Sequence, residues 1–176
     1  MGKIVSLETE RLIMRPTSHD DEAFLLELMN SPKFLQYIGD RNLKTIEEVS
    51  AYIDSKFRAQ YDRLGFSNFT LIRKADGIKI GSCGLYDREG LDGLDLGYAL
   101  LPNFEGSGFA YEAARALSKV AYQQLGIELL LAITTKDNKA SQKLLEKLGF
   151  EYAKDINLPE DPTTLMLFEH RKVRKL

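Results

Sequence analysis

The chain has 176 residues, with 24 basic side chains, 26 acidic side chains and a formal net charge of -2. A chain of this length suits one domain, so we expect residues 1–176 to form a single domain, and the nearly balanced charge argues against a nucleic-acid partner. With one cysteine and two histidines, zinc sites of the Cys₄ and Cys₂His₂ types are excluded, and the lone thiol favours a reducing, cytoplasmic compartment.

The first half of the chain is predicted to begin with one strand followed by two helices. Alternating apolar residues over Leu7–Pro16 predict the strand, and the helix that follows is capped near Ser18 and ends near Met29. The capping-box pattern Thr45-Ile46-Glu47-Glu48 opens a second helix, which Gly65 ends. No apolar stretch approaches the ~20 residues that are needed to span a bilayer, so no membrane contact is expected.

The rest of the chain is predicted to form a strand meander and then alternating helices and strands. Strands are expected at Phe66–Arg73, Ile78–Tyr86, Leu94–Leu101, Ile127–Thr135, Phe150–Ala153 and Thr164–His170. An alanine-rich helix begins near Ala110 and is stopped by Gly126, and a shorter helix covers Lys139–Leu148. This order predicts an α+β fold in which helices pack on a mixed, mostly antiparallel sheet.

The segment 101–110 contains two glycines, Gly106 and Gly108, between a predicted strand and a predicted helix. Such a turn brings backbone N–H groups together, and the positive end of the helix dipole adds to them, so the turn suits a phosphate or pyrophosphate. A P-loop is excluded because its Gly-Lys pair is missing, and a dinucleotide-binding turn is excluded because Tyr111 replaces the third glycine. A turn that only joins strand to helix stays open as an alternative.

Two further features leave a structural and a functional interpretation open. One face of the strand Leu94–Leu101 carries only Asp95, Gly97 and Ala99, which suits a ligand groove or close packing against the alanine-rich helix. Ser141 projects among leucines on the apolar side of its helix. Its hydroxyl either bonds to nearby backbone, with Asn138 as the N-cap, or faces a cavity.

Together these segments resemble the GNAT superfamily of N-acetyltransferases. Leu94–Tyr98 followed by Gly106–Ala113 is similar to the acyl-CoA motif of the family, and Asp137–Phe150 is similar to its second motif. The opening Leu7–Leu12 resembles the branch that contains the ribosomal-protein alanine N-acetyltransferases. The resemblance covers almost the whole chain.

The resemblance implies a sheet with a splay between two central strands, helices on both faces, and acetyl-CoA bound in the splay as co-substrate, without a metal. Its implied activity is acetyl transfer to a primary amine, either a peptide N-terminus or a small-molecule amine, by direct attack. The implied donor-binding groups are the backbone near Leu100 and Leu101, the amides of Phe104, Glu105, Gly106, Ser107, Gly108, Phe109 and Ala110, and Asn138 for the pantetheine arm.

The catalytic expectations rest partly on departures from the family pattern. Leu145 stands where many members have a tyrosine that protonates the thiolate, which shifts that role to Ser141. Asp95, acting through water, is the candidate general base. Ala153 replaces a glutamate that is frequent in the branch, so the acceptor stays open.

Family analogy also suggests where the acceptor and partners bind. The acceptor side would include Phe34, Tyr37 and Ile38, together with residues 157–163. Relatives often self-associate, so a homodimer is compatible with the resemblance. The alternative function is a non-catalytic acyl-CoA-binding sensor or regulatory module.

Overall fold

Eight strands in one sheet and six α-helices make up the described part of the chain, residues 2–172 of a computed structural model. The strands are β1 (Leu7–Glu8), β2 (Leu12–Pro16), β3 (Asn68–Arg73), β4 (Lys79–Asp87), β5 (Leu94–Leu100), β6 (Leu129–Thr135), β7 (Glu151–Ile156) and β8 (Leu165–Arg171). The helices are α1 (Glu22–Met29), α2 (Pro32–Tyr37), α3 (Ile46–Tyr52), α4 (Ala59–Leu64), α5 (Phe109–Gln123) and α6 (Lys139–Lys147). Within those residues no helix is long and apolar enough to cross a membrane.

The sheet is mixed and mostly antiparallel, as the sequence predicts. Its strand order is β1-β2-β3-β4-β5-β6-β8-β7, and β5–β6 is the parallel pair among the described strands. The predicted first strand is wrong in one respect, because a turn divides it into β1 and β2. In that turn the Thr9 N–H donates to the Leu12 carbonyl at 2.9 Å, so the chain doubles back and the two pieces pair with each other.

The helical segments before β3 are more numerous than the sequence predicts. Pro32 begins α2, a helix that was not predicted from the sequence, because proline fits the first position of a helix, where no N–H donor is needed. The predicted capping box at Thr45 is confirmed, and Gly65 ends α4 in a left-handed conformation with φ of 81°. Between α3 and α4 the backbone is π-helical over Ile53–Arg58, which hydrophobic spacing did not reveal.

Helices pack on both faces of the sheet and form a separate core on each side. On one face α5 buries Ala113, Ala114 and Leu117 against β4 and β5. On the other face, buried side chains of α1, α2, α3 and the π-helical segment lie beside Ala99 and Tyr86. The alanine-rich helix therefore packs on the large-residue face of β5, and its close packing does not explain the small face.

A buried carboxylate fastens the layer of α1 to α4 to the sheet. Asp21 is fully buried just before α1, and Arg15 donates to both of its oxygens at 2.7 and 2.8 Å. Lys79 lies 2.8 Å from the same carboxylate, and the Thr70 hydroxyl donates to it at 2.9 Å. Burial opposes ionisation, but these partners outweigh it and lower the pKa of Asp21 to about 2.

We predict that Asp21→Asn lowers the free energy of unfolding by about 2–3 kcal/mol at pH 7, because two cations lose a buried partner. The ordinary pKa of 3.8 exceeds the folded value of about 2, so the stabilisation is complete above 3.8 and disappears as the pH falls through 2. Urea denaturation of both proteins should therefore show a difference that shrinks below pH 4.

The matched control is Asp76→Asn, which removes the partner of Arg73 in a solvent-exposed turn. Exposed ion pairs contribute about 0–1 kcal/mol, so this variant should unfold nearly as the wild type does. An Asp21→Asn variant that is as stable as this control would contradict the prediction.

Candidate active site

The central strands β5 and β6 separate soon after they begin to pair. Their parallel ladder contains the pairs Leu94↔Leu130 and Asp95↔Leu131, although β5 continues to Leu100 and β6 to Thr135. The residues Gly97–Leu100 are therefore partly exposed even though β5 lies in the middle of the sheet. The expected splay is present, and an extended ligand could hydrogen-bond to its edges as an added strand would.

The backbone at the end of β5 offers one residue to this gap. Both backbone groups of Leu101 are engaged, because its N–H donates to Ile80 at 2.8 Å and its carbonyl accepts from Phe104 at 3.0 Å. Since successive residues of a strand direct their backbone groups to opposite edges, those of Leu100 point away from β4 and into the splay. The backbone of Leu100 is therefore oriented to bind a ligand, as expected, whereas the backbone of Leu101 is used within the protein.

The turn between β5 and α5 presents a row of backbone amides. The Phe104 and Glu105 amides bond within the turn, to Leu101 and to Pro102. In the described chain no such partner is found for the amides of Gly106, Ser107 and Gly108, and Phe109 and Ala110 begin a helix, where N–H groups lack intrahelical acceptors.

Two glycines give this turn its shape. Gly106 and Gly108 have φ values of 73° and 82°, which side-chain-bearing residues rarely adopt. The unpaired amides and the N-terminus of a 15-residue helix together suit an anionic group. The geometry therefore fits the pyrophosphate expected from the sequence.

Asp95 lies where β5 and β6 part, on the face opposite α5. Its side chain is buried, and Arg88 donates to Oδ2 at 2.9 Å. Oδ1 accepts no hydrogen bond of normal geometry from the described residues, and the Ile133 amide gives only a weaker backbone interaction. Burial raises the pKa of Asp95 above its ordinary value, although Arg88 favours the charged form.

The small face of β5 is occupied by an aromatic ring. A Cβ at Gly97 would lie 2.8 Å from the Tyr86 ring, and one at Gly84 would lie 2.6 Å from it. The two glycines are therefore needed for Tyr86 to lie across the sheet. The Tyr86 hydroxyl donates to Asn68, which holds the ring over this face beside Asp95.

On the other face, Ser141 is paired with a tyrosine that sequence reasoning did not single out. The Ser141 hydroxyl lies 2.9 Å from the Tyr98 hydroxyl, so its partner belongs to β5 and not to nearby backbone. Asn138 is the N-cap of α6 as predicted, and its side-chain oxygen accepts from the Ser141 N–H at 3.1 Å. Burial raises the pKa of Tyr98 to about 12, while the hydrogen bond to Ser141 opposes this shift.

The sequence contained one signal for Tyr98, namely its place on the face of β5 that also carries Leu96 and Leu100. A tyrosine among buried leucines needs a partner for its hydroxyl. Which residue would supply that partner depended on the approach of α6 to β5, and no local pattern predicts it.

The predicted acceptor residues lie on α2 and just beyond it. Phe34 is only 8% exposed and belongs to the core of the α1–α4 layer, Tyr37 is partly buried, and Ile38 is 40% exposed. Lys33 on the same helix forms an ion pair with Glu105, which links α2 to the amide turn. The segment 157–163 is held by the Asn157 amide, which donates to two carbonyls of that segment.

Comparison with known proteins agrees with this geometry. The family model for the acetyltransferase (GNAT) domain matches residues 11–151 of this chain. An uncharacterized N-acetyltransferase of Bacillus subtilis, YoaA, is 27% identical over 146 residues, which cover 82% of each chain. The crystal structure of an acetyltransferase from Agrobacterium tumefaciens superposes with a TM-score of 0.80 at 22% identity, covering 98% of this chain and 97% of that one.

A further solved structure, of the ribosomal L7/L12 alpha-N-protein acetyltransferase RimL, gives a TM-score of 0.78 at 16% identity. It covers 93% of this chain and 92% of that chain. At such identities the two solved structures support the fold, and the family-model match supplies the family.

We predict that Gly106→Ala weakens the binding of CoA by about tenfold, because a side chain at φ of 73° shifts the backbone amides out of line. Gly77→Ala is the matched control, since Gly77 also has a positive φ of 72° and neither glycine has an atom within 4 Å of an added Cβ. Isothermal titration calorimetry should give wild-type affinity for Gly77→Ala. Equal losses of affinity in the two variants would contradict the assignment of the turn.

Proposed function

Because the chain belongs to the GNAT acetyltransferase family, we propose that it transfers an acetyl group from acetyl-CoA to a primary amine. The observation that carries this proposal is the splay between β5 and β6, which lies beside the amide turn 106–110. CoA carries both an extended pantetheine arm, which would lie along the splay, and a diphosphate, which would lie at the turn. That the protein is an acyltransferase follows from its family.

The donor site is proposed from groups for which residues 2–172 supply no other partner. Leu100 would bind the pantetheine arm through its backbone, and the side-chain NH₂ of Asn138 is available because only the oxygen of that amide is used in capping. The amides of residues 106–110 would hold the pyrophosphate. Acetyl-CoA supplies, when bound, a thioester whose carbonyl carbon accepts the amine and whose sulfur departs.

The acceptor must lose a proton before it attacks, since a primary amine is mostly ammonium at neutral pH. Asp95 is the proposed base, because it is buried where β5 and β6 part and one of its oxygens accepts no normal hydrogen bond from the described residues. Burial raises its pKa, which makes the carboxylate a stronger base than an exposed aspartate. A water molecule would carry the proton from the amine to Oδ1.

The departing sulfur needs a proton, which we assign to Ser141. Its hydroxyl lies 2.9 Å from the hydroxyl of Tyr98, which belongs to the part of β5 beyond its pairing with β6. When Ser141 gives its proton to the thiolate, the Tyr98 hydroxyl can donate a hydrogen bond to the serine oxygen, which then regains the second proton that the nitrogen loses as the amide forms. Leu145 is 1% exposed within the core, so the position where many relatives have tyrosine faces the packing and not the gap.

Direct attack, without an acetyl-enzyme intermediate, is supported by the state of the remaining nucleophiles. Cys83 is buried, and burial raises its pKa to about 12, so almost no thiolate exists at neutral pH. His19 bonds to Glu22 and Asp54 on the exposed side of α1, and His170 bonds to Tyr122. Neither histidine contacts the splay residues that are assigned here.

The acceptor is proposed as a class: a peptide N-terminus or a small-molecule amine. The loop between β4 and β5 and the strand ends beside it carry four carboxylates, Asp87, Glu89, Asp92 and Asp95. Two of them are paired, Asp87 with Arg63 and Asp95 with Arg88. This pairing weakens the case for strongly cationic amines. RimL, to which this fold is similar, is named for acting on a protein N-terminus, and this favours testing peptides first. We also propose a cytoplasmic location, because a lone thiol suits a reducing compartment.

We predict that the purified chain releases CoA thiol from acetyl-CoA when it is supplied with a panel of peptide N-termini, polyamines and aminoglycosides. At least one amine should give saturable turnover. Thermal stabilisation by CoA without thiol release against any amine would instead support the non-catalytic sensor. Absence of both signals would contradict the donor assignment as well.

With an amine identified in this way, Asp95→Asn and Ser141→Ala should each lower kcat by about 100-fold, the lower end of the usual range for general acid–base groups. Activity needs the Asp95 carboxylate, so kcat/KM of the wild type should fall as the pH drops through the raised pKa of that group. The Asn variant should lack this acidic limb. Turnover and pH profiles measured by thiol release test both points.

Matched controls are available for each change. Asp87→Asn removes an exposed carboxylate at the end of β4 that is paired with Arg63. Ser118→Ala removes a buried helical hydroxyl that has no partner in the described residues. Both should keep nearly wild-type turnover. Undiminished kcat in Asp95→Asn and Ser141→Ala would refute the two assignments.

A further inference from the structure

Arg11, in the turn between β1 and β2, reaches the amide turn that precedes α5. Its Nη1 donates to the Ser107 carbonyl at 2.9 Å, and its guanidinium carbon lies 4.2 Å from the centre of the Phe109 ring. A Cβ at Gly108 would be 3.4 Å from its Nη2. Arg11 therefore touches three consecutive residues of the turn through a carbonyl and a ring, and it leaves their N–H groups free to bind a ligand.

The same arginine neutralises a carboxylate in the first turn of α5. Glu112 accepts the Arg11 Nε at 2.7 Å, the Arg11 backbone N–H at 2.8 Å and the Thr9 hydroxyl at 2.6 Å. Burial opposes its ionisation, but these hydrogen bonds outweigh burial and lower the pKa of Glu112. A free carboxylate here would repel an anion at the helix N-terminus, whereas one held by Thr9 and Arg11 is compensated.

Thr9 and Arg11 are themselves fixed to the sheet. The Thr9 hydroxyl also accepts the Leu12 N–H at 3.0 Å, which closes the turn between β1 and β2. Lys74 donates its backbone N–H to the Arg11 carbonyl at 2.9 Å and its ammonium to the Thr9 carbonyl at 2.7 Å. The contacts on α5 are thus made from a rigid base.

We propose that Thr9, Arg11 and Glu112 form a clamp that positions the amides of residues 106–110 for the pyrophosphate of the donor. The inference rests on the proposed function, because it assumes that CoA binds at this turn. Arg11 and Thr9 are positioning residues in this account. The clamp also supplies the turn with a nearby cation, which the segment 101–110 lacks in its own sequence.

The experiment measures the affinity of the wild type and of Arg11→Ala for three ligands: CoA, dephospho-CoA and pantetheine. The first two carry a pyrophosphate and pantetheine does not, so the clamp predicts an about tenfold loss of affinity for both nucleotides and none for pantetheine. Calorimetry measures the nucleotides, and ligand-observed NMR at millimolar concentration measures pantetheine. With a known acceptor, KM for acetyl-CoA should rise while kcat at saturation stays unchanged.

Two further variants separate positioning from general damage. Thr9→Ser keeps the hydroxyl that donates to Glu112 and should retain CoA affinity, whereas Thr9→Val removes it and should weaken binding. Arg63→Ala is the matched control, because it breaks an ion pair of similar length, 2.8 Å, with Asp87 away from the turn. It should bind all three ligands as the wild type does.

Each outcome decides the proposal. Unchanged CoA affinity in Arg11→Ala overturns the clamp, and so does an equal loss for pantetheine, which would indicate damage to the whole fold. Sensitivity to CoA but not to dephospho-CoA also overturns it, since Arg11 would then act on the ribose phosphate. If the wild-type chain binds no CoA, the proposed function fails together with the clamp; if it binds and Arg11→Ala binds equally, only the clamp fails.

Discussion

The separation of β5 from β6 after Asp95 is the constraint on which the rest of the site depends. Two central strands that remained paired would satisfy each other's backbone groups and leave nothing for a ligand. Because they part, the end of β5 is partly exposed in the middle of an eight-stranded sheet, and its Leu100 backbone faces a gap. The amide turn follows immediately in the chain, so one segment provides both parts of the proposed donor site.

The two faces of β5 then have separate tasks. One face directs Tyr98 toward Ser141 on α6, and the other holds Asp95 beside the Tyr86 ring. The layer of α1 to α4 covers the second face and is anchored through Asp21, whose buried charge is matched by cations from two strands. The proposed acid and base thus approach the gap from opposite faces of one strand.

Much of this arrangement could be predicted from local sequence. The order of the elements, the capping box at Thr45, the helix end at Gly65 and the N-cap at Asn138 follow from short patterns with local causes, and the structure confirms them. The predictions were wrong where two local signals compete. The helix that Pro32 begins was not predicted, and the turn at Thr9 interrupts an alternating apolar pattern.

The sequence by itself determined the types of elements, their order and the glycine turn, because hydrophobic periodicity, caps and positive-φ positions act over a few residues. Only the tertiary structure decided which side chains meet. Arg11 lies 96 residues from Ser107, Tyr98 lies 43 residues from Ser141, and no local rule pairs them. The reason is physical: these contacts depend on how α5 and α6 cross the sheet, and that crossing is set by the packing of the whole core.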